Sequence, residues 1–169
     1  MPYYRPQVAV VYVDQGQSDW LKIFENTLGS IRYDKFITSL GDQILLKKSQ
    51  FDLEHNILIS GLENEKHGLY TIIKNDDAMK IQYQIATFMP SNKNCAKEAP
   101  IGNREIMIVW DDSGGDYVPG QQYSDFPFIE VLITPQADNV CKVQTMVTGQ
   151  FIKRQIKDHK FCEIFLGQN

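Results

Sequence analysis

Polar side chains that could do chemistry stand on both sides of one short apolar run, Ile106 to Trp110. Asn103 precedes the run, and its carboxamide offers both a hydrogen-bond acceptor and donors. The run is followed by an Asp/Gly-rich turn whose carboxylates, at Asp111, Asp112 and Asp116, could ligate Mg²⁺ or Ca²⁺ through oxygen. Groups displayed at the two ends of a rigid strand are well placed for function.

The acidic turn fits a strand-terminating turn better than a metal site. The spacing of a calcium-binding EF-hand loop fails, because Gln122 stands where the bidentate glutamate belongs. The chain has neither the Gly-x-x-x-x-Gly-Lys-Ser/Thr loop of P-loop proteins nor a Gly-x-Ser-x-Gly nucleophile turn. The histidines, His55, His67 and His159, are scattered and are predicted to be surface or boundary residues. We therefore expect no metal site.

The composition is that of an ordinary globular domain. The 169 residues include 43% hydrophobic and 22% charged residues, and a chain of this length buries about 70% of its extended surface on folding. A net charge of -4 argues against nucleic-acid binding, which relies on clustered Lys and Arg. The sequence therefore predicts one domain over residues 1–169.

The cysteines and the amino-terminal residues predict a cytoplasmic protein. Cys95, Cys141 and Cys162 are odd in number and widely spaced, which favours reduced thiols over disulfides or a zinc site. The opening residues lack the apolar core of a signal peptide, and the run Val8 to Val13 is far shorter than the ~20 residues that span a bilayer. No transmembrane segment is expected.

The elements that must position Asn103 follow from the hydrophobic pattern. Val8 to Val13 is apolar and β-branched, which is typical of a central strand covered on both faces, and Ile106 to Trp110 predicts a second buried strand. Further strands are predicted at Ile44 to Leu46, Ile57 to Ile59, Leu69 to Ile73, Phe128 to Thr134 and Lys142 to Val147, with a turn from Pro135 to Asn139.

Two short helices are predicted between the first strands. Ser18 or Asp19 can cap a helix that contains Trp20 and Phe24. A second helix has apolar residues at helical spacing, at Tyr33, Phe36, Ile37 and Leu40, and Gly41 stands where a left-handed C-cap is expected.

A third helix is predicted over residues 76–89. Asn75 is a good N-cap, Asp76 and Asp77 suit the first turn, and one apolar stripe contains Ala78, Ile81, Ile85 and Phe88 before Pro90. Ser91 to Pro100 is predicted to be polar and flexible, and an amphipathic helix is expected from about Phe151. Together the elements predict an α/β fold, a mixed sheet flanked by helices.

Three segments carry a resemblance to a known family. They are Ile101 to Trp110 (Ile-Gly-Asn-Arg-Glu-Ile-Met-Ile-Val-Trp), Asp112 to Tyr117 (Asp-Ser-Gly-Gly-Asp-Tyr) and Phe126 to Pro135 (Phe-Pro-Phe-Ile-Glu-Val-Leu-Ile-Thr-Pro). These segments resemble, in family order, the Rap/Ran-GAP family, the GTPase-activating domain of tuberin and of the Rap and Ral GTPase-activating proteins. Residues 36–41, 76–90 and 151–156 resemble helical parts of the same domain.

The resemblance implies a domain that stimulates GTP hydrolysis by a Ras-superfamily small GTPase of the Rheb, Rap or Ral kind. In this family an asparagine is inserted into the GTPase, and Asn103 matches that position, with Gly102 letting the two backbones approach. The carboxamide can orient the attacking water without titrating. GTP and Mg²⁺ belong to the GTPase, so the resemblance implies no cofactor or metal of the domain itself and no hydrolysis by it alone.

Two positions depart from the family pattern. Pro100 stands where the family commonly has histidine, and Arg104 stands where it has aspartate. Pro100 can supply rigidity through its fixed φ, whereas Arg104 reverses a charge beside Asn103. The alternative function is therefore a GAP-like domain that binds a GTPase, or acts as a scaffolding or heterodimerising module in a larger GAP complex, without catalytic stimulation.

The predicted terminal helix carries the main basic concentration of the chain. Arg154 matches an arginine of tuberin, and with Lys153 and Lys157 it could steer an acidic GTPase surface. A solvated helix face is the other interpretation of these charges.

Overall fold

A computed structural model of the chain describes residues 6–46, 51–52, 57–58, 68–75, 80–91, 97–120 and 129–147. The strands in these ranges are β1 Gln7–Val13, β2 Asp42–Leu45, β3 Phe51–Asp52, β4 Ile57–Leu58, β5 Tyr70–Asn75, β6 Lys80–Ile85, β7 Ile106–Asp111, β8 Ile129–Pro135 and β9 Cys141–Val147. The helices are α1 Trp20–Glu25, α2 Ile31–Ser39 and α3 Glu98–Gly102, with short 3-10 helices at Ala86–Phe88 and Ala137–Asn139.

The main sheet is mixed, as the sequence predicts. Within the described residues its strand order is β2-β5-β6-β1-β7-β8-β9, and β3 pairs with β4 in a separate small sheet. The four central strands β6, β1, β7 and β8 are parallel to their neighbours in this group, whereas β2, β5 and β9 pair antiparallel. Parallel strands are usually covered on both faces, which explains the continuous apolar runs of β1 and β7.

The prediction of two interior strands is confirmed. β1 lies between β6 and β7, and β7 lies between β1 and β8. Val10 and Val11 of β1, which point to opposite faces of the sheet, are both fully buried. Each strand therefore contributes to both layers of the core.

One face of the sheet is covered by α1 and α3. Ala9, Val11 and Val13 of β1 pack there with residues of these helices, of β7 and of the chain after it: Ile23, Phe24, Ile101, Met107, Val109 and Tyr117. The predicted start of α1 is confirmed, because Asp19 Oδ1 accepts a hydrogen bond from Leu21 N at 3.0 Å.

The opposite face is covered by α2. Val8, Val10 and Tyr12 of β1 pack with Tyr33 and Ile37 of this helix. The ring of Tyr33 lies 4.9 Å from that of Tyr12, and Phe36 stacks on Trp110 at 5.0 Å. The fold is therefore a three-layer α/β arrangement with β1 and β7 at its centre.

The predicted helix over residues 76–89 is wrong, because residues 80–85 form the strand β6. Ile81 and Ile85 are four residues apart, a spacing that satisfies both a helix and a strand, and Tyr83 between them completes an alternation. These three side chains pack on the α2 face, while Gln82 and Gln84 belong to the other face. Pairing with β1 thus overrides the helical pattern. Asp76, Asp77 and Ala78 lie outside the described residues.

The predicted left-handed C-cap at Gly41 is also wrong. Its φ is +159°, close to extended, because β2 starts at the next residue and the chain needs no reversal. Glycine is needed there for space, since a Cβ would collide with the carbonyl oxygen of Ile73 on β5.

The segment from Ser91 to Pro100, predicted to be flexible, contains the start of α3. Pro100 is tolerated in the first turn of this helix, where its missing N–H has no intrahelical acceptor in any case. Residues 92–96 and the terminal helix predicted from about Phe151 lie outside the described residues, as do His55, His67 and His159. No helix in the described ranges is both long and apolar enough to cross a membrane.

Candidate functional site

Asn103 lies at the edge of the sheet where the parallel strands begin. Val8 of β1 is paired with Ile106, the first residue of β7, and Ile106 is paired with Ile129, the first residue of β8. Asn103 follows the end of α3 and precedes β7, and it is exposed. Its carboxamide is therefore accessible to a second molecule.

The helix before Asn103 is anchored through its apolar side. Ile101 is 1% exposed and packs in the same core cluster as Met107 and Val109 of β7. Its N–H donates to Lys97 O at 3.0 Å, and Arg104 N donates to Ile101 O at 3.4 Å. Asn103 is thus presented between a buried residue and a hydrogen-bonded turn.

Arg104 fixes the other side of Asn103. Its Nε donates to Gln84 Oε1 at 2.9 Å and to Pro100 O at 3.0 Å, and its Nη1 donates to Gln7 Oε1. Burial lowers the pKa of this guanidinium, which nevertheless stays charged at neutral pH. Arg104 therefore points toward β1 and β6 and clamps α3 to the sheet.

Pro100 and Gly102, the other predicted supporting residues, both lie in α3 and are half-buried. Pro100 takes part in the clamp through its carbonyl oxygen, which accepts from Arg104. Gly102 ends the helix next to Asn103, and a glycine has no side chain to hinder the approach of another backbone. The three supporting residues are thus brought together around Asn103.

Lys97 holds the other end of α3. Its side chain is 2% exposed, and Nζ donates to the main-chain oxygen of Asn26 at 2.7 Å. Burial lowers the pKa of this ammonium from its ordinary value of 10.5 to about 8. Asn26, at the end of α1, donates through Nδ2 to Tyr12 O at 2.9 Å and to Gln17 Oε1 at 2.8 Å.

Sequence reasoning missed Lys97, Gln84 and Gln7 as parts of this site. Their partners are remote along the chain: Lys97 is 71 residues from Asn26, and Arg104 is 97 from Gln7 and 20 from Gln84. A buried lysine in a polar segment carries no local pattern that distinguishes it from a solvated one. The sequence does contain one signal for the site, the glutamines Gln82 and Gln84 of β6, because polar side chains are unusual on a strand next to the centre of a sheet.

The acidic turn after β7 lies at the opposite edge of the sheet, about 20 Å away along the strand. Asp111 Oδ1 accepts from Ser113 N at 3.0 Å, and Ser113 Oγ accepts from Gly115 N at 3.3 Å and from Tyr117 N at 3.0 Å. The turn therefore uses these oxygens itself. The described parts of the chain contain no group of three or more His, Cys, Asp and Glu side chains suited to a metal.

Beyond this turn, a buried carboxylate holds the chain against the sheet. Glu130, on β8, accepts from Tyr117 OH through Oε1 at 2.8 Å and from Gly120 N through Oε2 at 3.0 Å. Burial, and then the charge of Glu130, raises the pKa of the Tyr117 hydroxyl. These two hydrogen bonds hold the chain after β7 against β8.

The predicted partner-binding residues Lys153, Arg154 and Lys157 lie outside the described residues. The last described residue is Val147, at the end of β9. Val147 is paired with Ile129, so β9 ends at the same edge as Asn103.

Comparison with known proteins defines the class to which this sheet and site belong. The chain is similar to the solved structure of the TSC2 GAP domain, with a TM-score of 0.77 and 29% sequence identity over 88% of this chain and 83% of that chain. The fold is therefore that of a GAP domain.

The Rap/ran-GAP family model matches residues 23–161, and the chain belongs to this family. The Ral GTPase-activating protein subunit alpha-1 of Homo sapiens is 30% identical over 144 residues, 83% of this chain and 7% of its own length. The Tuberous sclerosis 2 protein homolog of Schizosaccharomyces pombe is 29% identical over 161 residues, 91% of this chain and 11% of its own length. The chain thus spans about a tenth or less of these relatives.

Proposed function

We propose that this domain stimulates GTP hydrolysis by a small GTPase of the Ral, Rap or Rheb kind. Membership of the Rap/Ran-GAP family supports the class of activity, and the names of the relatives support this choice of GTPases. The domain acts on a GTPase in trans and does not hydrolyse GTP alone. GTP and Mg²⁺ belong to the partner, and the domain supplies no metal or cofactor.

We propose Asn103 as the side chain inserted into the GTPase. The observation that carries this proposal is its exposure on a turn whose two flanks are fixed, by buried Ile101 on one side and by the Arg104 clamp on the other. Small GTPases hydrolyse GTP slowly until the attacking water is oriented and the developing charge is stabilised. A carboxamide held in one place can orient that water without titrating.

We propose that Arg104 supports Asn103. Arg104 stands where the family commonly has aspartate, and its guanidinium anchors the turn by donating to Gln84, Gln7 and the Pro100 carbonyl. Its guanidinium points toward the sheet, so the charge beside Asn103 is partly withdrawn from the approaching GTPase. Lys153, Arg154 and Lys157 are proposed to contact the GTPase as well.

We also propose that the domain works inside a larger GAP complex in the cytoplasm. The relatives are many times longer than this chain, which supports a role inside a larger GAP complex. We place the domain in the cytoplasm, where its three cysteines would stay reduced.

The test is single-turnover GTP hydrolysis by a panel of Ral, Rap and Rheb GTPases mixed with the 169-residue chain. An activator can accelerate hydrolysis by up to about 10⁵-fold. Asn103→Ala should remove most of this acceleration while binding of the GTPase is retained, because the lost contact exists chiefly in the transition state.

The matched control is Asn75→Ala, which removes another exposed asparagine at the same edge of the sheet, on β5. It should keep the full rate. If Asn103→Ala hydrolyses GTP on its best GTPase as fast as the wild-type chain, the role of Asn103 is wrong.

A binding module without catalytic stimulation is the second candidate, favoured by one observation: Pro100 replaces the family's histidine at a position three residues from Asn103. Pro100→His should raise the rate of the wild-type chain if the missing histidine limits the site. The same substitution should do nothing when Asn103 is already Ala. Tight GTPase binding with no acceleration by either chain would establish the binding module instead.

A further inference from the structure

Lys97 is a buried charge that stability does not explain. The side chain is 2% exposed, and its Nζ donates to the main-chain oxygen of Asn26. Burial lowers the pKa of the ammonium to about 8, which means that the surroundings disfavour the charged form even with this hydrogen bond in place. An unbranched apolar side chain of similar length would fill the same space without the cost of burying a charge.

The contact adds a polar tie between α1 and α3, which also share one hydrophobic core cluster through Ile23, Phe24 and Ile101. Asn26 O belongs to the residue that ends α1, and Asn26 is itself held by Tyr12 O and Gln17. Through Lys97, the amino end of α3 is therefore tied to the far end of β1. Arg104 ties the carboxyl end of α3 to the first residue of β1, Gln7, and to Gln84.

A helix of five residues needs both ties to have one orientation. α3 makes one turn and a half, and Ile101 is its fully buried apolar side chain. The packing of Ile101 fixes the depth of the helix in the core better than its rotation, and the polar contacts at the two ends restrict the rotation. The rotation of α3 determines the direction in which Asn103 leaves the surface.

We propose that Lys97 is a positioning residue for Asn103: by binding Asn26 O, it fixes the amino end of α3 and hence the direction of the Asn103 carboxamide. The inference rests on the proposed function and deepens it. Lys97 itself is buried and touches neither GTP nor the GTPase. A displacement of about 1 Å at a reacting group can cost on the order of 10²-fold in rate.

The experiment compares Lys97→Met with Thr71→Val in the 169-residue chain. Thr71 is also 2% exposed and donates through Oγ1 to a main-chain oxygen, Tyr83 O at 2.9 Å, but it lies on β5. Both variants thus remove one side-chain hydrogen bond to a main-chain oxygen, and only Lys97→Met removes it beside α3. Three quantities are measured: kcat and KM for GTPase activation, the urea midpoint of unfolding, and amide hydrogen exchange of Ile101.

For Lys97→Met we expect kcat to fall by roughly 10-fold to 100-fold with KM unchanged, and exchange at Ile101 to become at least about tenfold faster. Its urea midpoint should equal or exceed that of the wild-type chain, because the costly charge is gone. Thr71→Val should lower the midpoint and leave kcat and the exchange of Ile101 unchanged.

Wild-type kcat in Lys97→Met overturns the proposal, and so does an equal loss of kcat in Thr71→Val, since general stability would then set the rate. If the wild-type chain activates no GTPase in the panel, the proposed function fails. The hydrogen-exchange measurement then tests only whether Lys97 fixes α3. Faster exchange of the Ile101 amide in Lys97→Met supports this role, and unchanged exchange overturns it.

Discussion

The two ends of β7 both carry polar residues, and the structure uses them in opposite ways. At the end of β7, Asp111 and Ser113 accept hydrogen bonds from their own turn and are buried. Before its start, Asn103 is exposed, while its neighbours Arg104 and Pro100 carry the hydrogen bonds that hold the segment. A polar residue is thus a better candidate for function when the surrounding structure supports it without using its polar atoms.

The largest expected effects are opposite at the two ends of β7: a substitution before its start should lower the rate, and one after its end should lower the stability. Asn103→Ala should raise the barrier to GTP hydrolysis by up to roughly 7 kcal/mol and leave the free energy of unfolding unchanged. Ser113→Ala should lower the free energy of unfolding by about 1–3 kcal/mol and leave the rate unchanged, because the buried N–H of Tyr117 and the N–H of Gly115 lose their acceptor. Single-turnover hydrolysis and urea unfolding of both variants measure this. A loss of stability in Asn103→Ala would remove the contrast.

Arg104→Met should weaken the Asn103 end by losing the donor to Gln84, Gln7 and the Pro100 carbonyl. We expect a loss of about 2–3 kcal/mol in the free energy of unfolding together with a lower rate of hydrolysis. Arg32→Met is the control, since the Arg32 guanidinium of α2 also donates to more than one oxygen, Gln136 O at 2.7 Å and Val140 O at 3.0 Å.

These oxygens lie between β8 and β9, at the opposite edge from Asn103. Arg32→Met should therefore lower stability and keep the rate. Equal rates in the two variants would show that the Arg104 clamp has no special connection to Asn103.

Lys97, beside α3, and Tyr117, in the chain after β7, should change the free energy of unfolding with pH in opposite directions. The pKa of Lys97 is about 8 in the folded chain and 10.5 when unfolded, so the unfolded chain binds more protons between these values. The contribution of Lys97 to the free energy of unfolding should therefore rise with pH across this window, by at most about 3 kcal/mol. The raised pKa of Tyr117 acts in the other direction, since stability falls as pH rises above about 10.

Urea unfolding at several pH values measures both contributions by difference. Lys97→Met should lack the rise between pH 8 and 10.5, and Tyr117→Phe should lack part of the fall above pH 10. A wild-type profile in Lys97→Met would mean that the Lys97 ammonium is not held in a costly environment.

The smallest expected effect is that of Tyr117→Phe at neutral pH. The substitution removes one hydrogen bond to Glu130 while Gly120 N still donates to that carboxylate, so the free energy of unfolding should fall by about 1–2 kcal/mol. GTPase activation should be unaffected. Thermal unfolding and the hydrolysis assay check the two parts, and a change in rate would connect this end of the molecule to the Asn103 site.

The sequence predicts the fold best where the hydrophobic pattern of one segment is enough to identify the element. Val8 to Val13 of β1 and Ile106 to Trp110 of β7 are continuous apolar runs because both faces of these strands are covered, and this pattern occurs in few other settings. β6 was predicted as a helix because Ile81 and Ile85 fit both periods, and the pairing with β1 that decides between them is remote in the chain. Local periodicity therefore located the centre of the sheet better than its next strand.

The candidate site was predictable in part for the same reason. Asn103 and its immediate neighbours form a continuous segment that resembles a family, so they could be named. The clamp by Gln7 and Gln84 and the tie from Lys97 to Asn26 exist only after α3 has packed on the sheet. Such contacts depend on tertiary structure, and residue types alone do not indicate them.

The central position of β1 has a consequence for synthesis of the chain. Its partners Lys80–Ile85 and Ile106–Asp111 are made much later, since Val8 pairs with Ile106 and Gln7 with Gln82. At ribosomal rates, the apolar run Val8 to Val13 waits roughly 5 to 20 s for both neighbours. Until β6 is made, it is an uncharged β-forming segment with no partner strand, and such segments aggregate readily. Full protease resistance of β1 should therefore arise only in nascent chains from which both Lys80–Ile85 and Ile106–Asp111 have emerged from the ribosome.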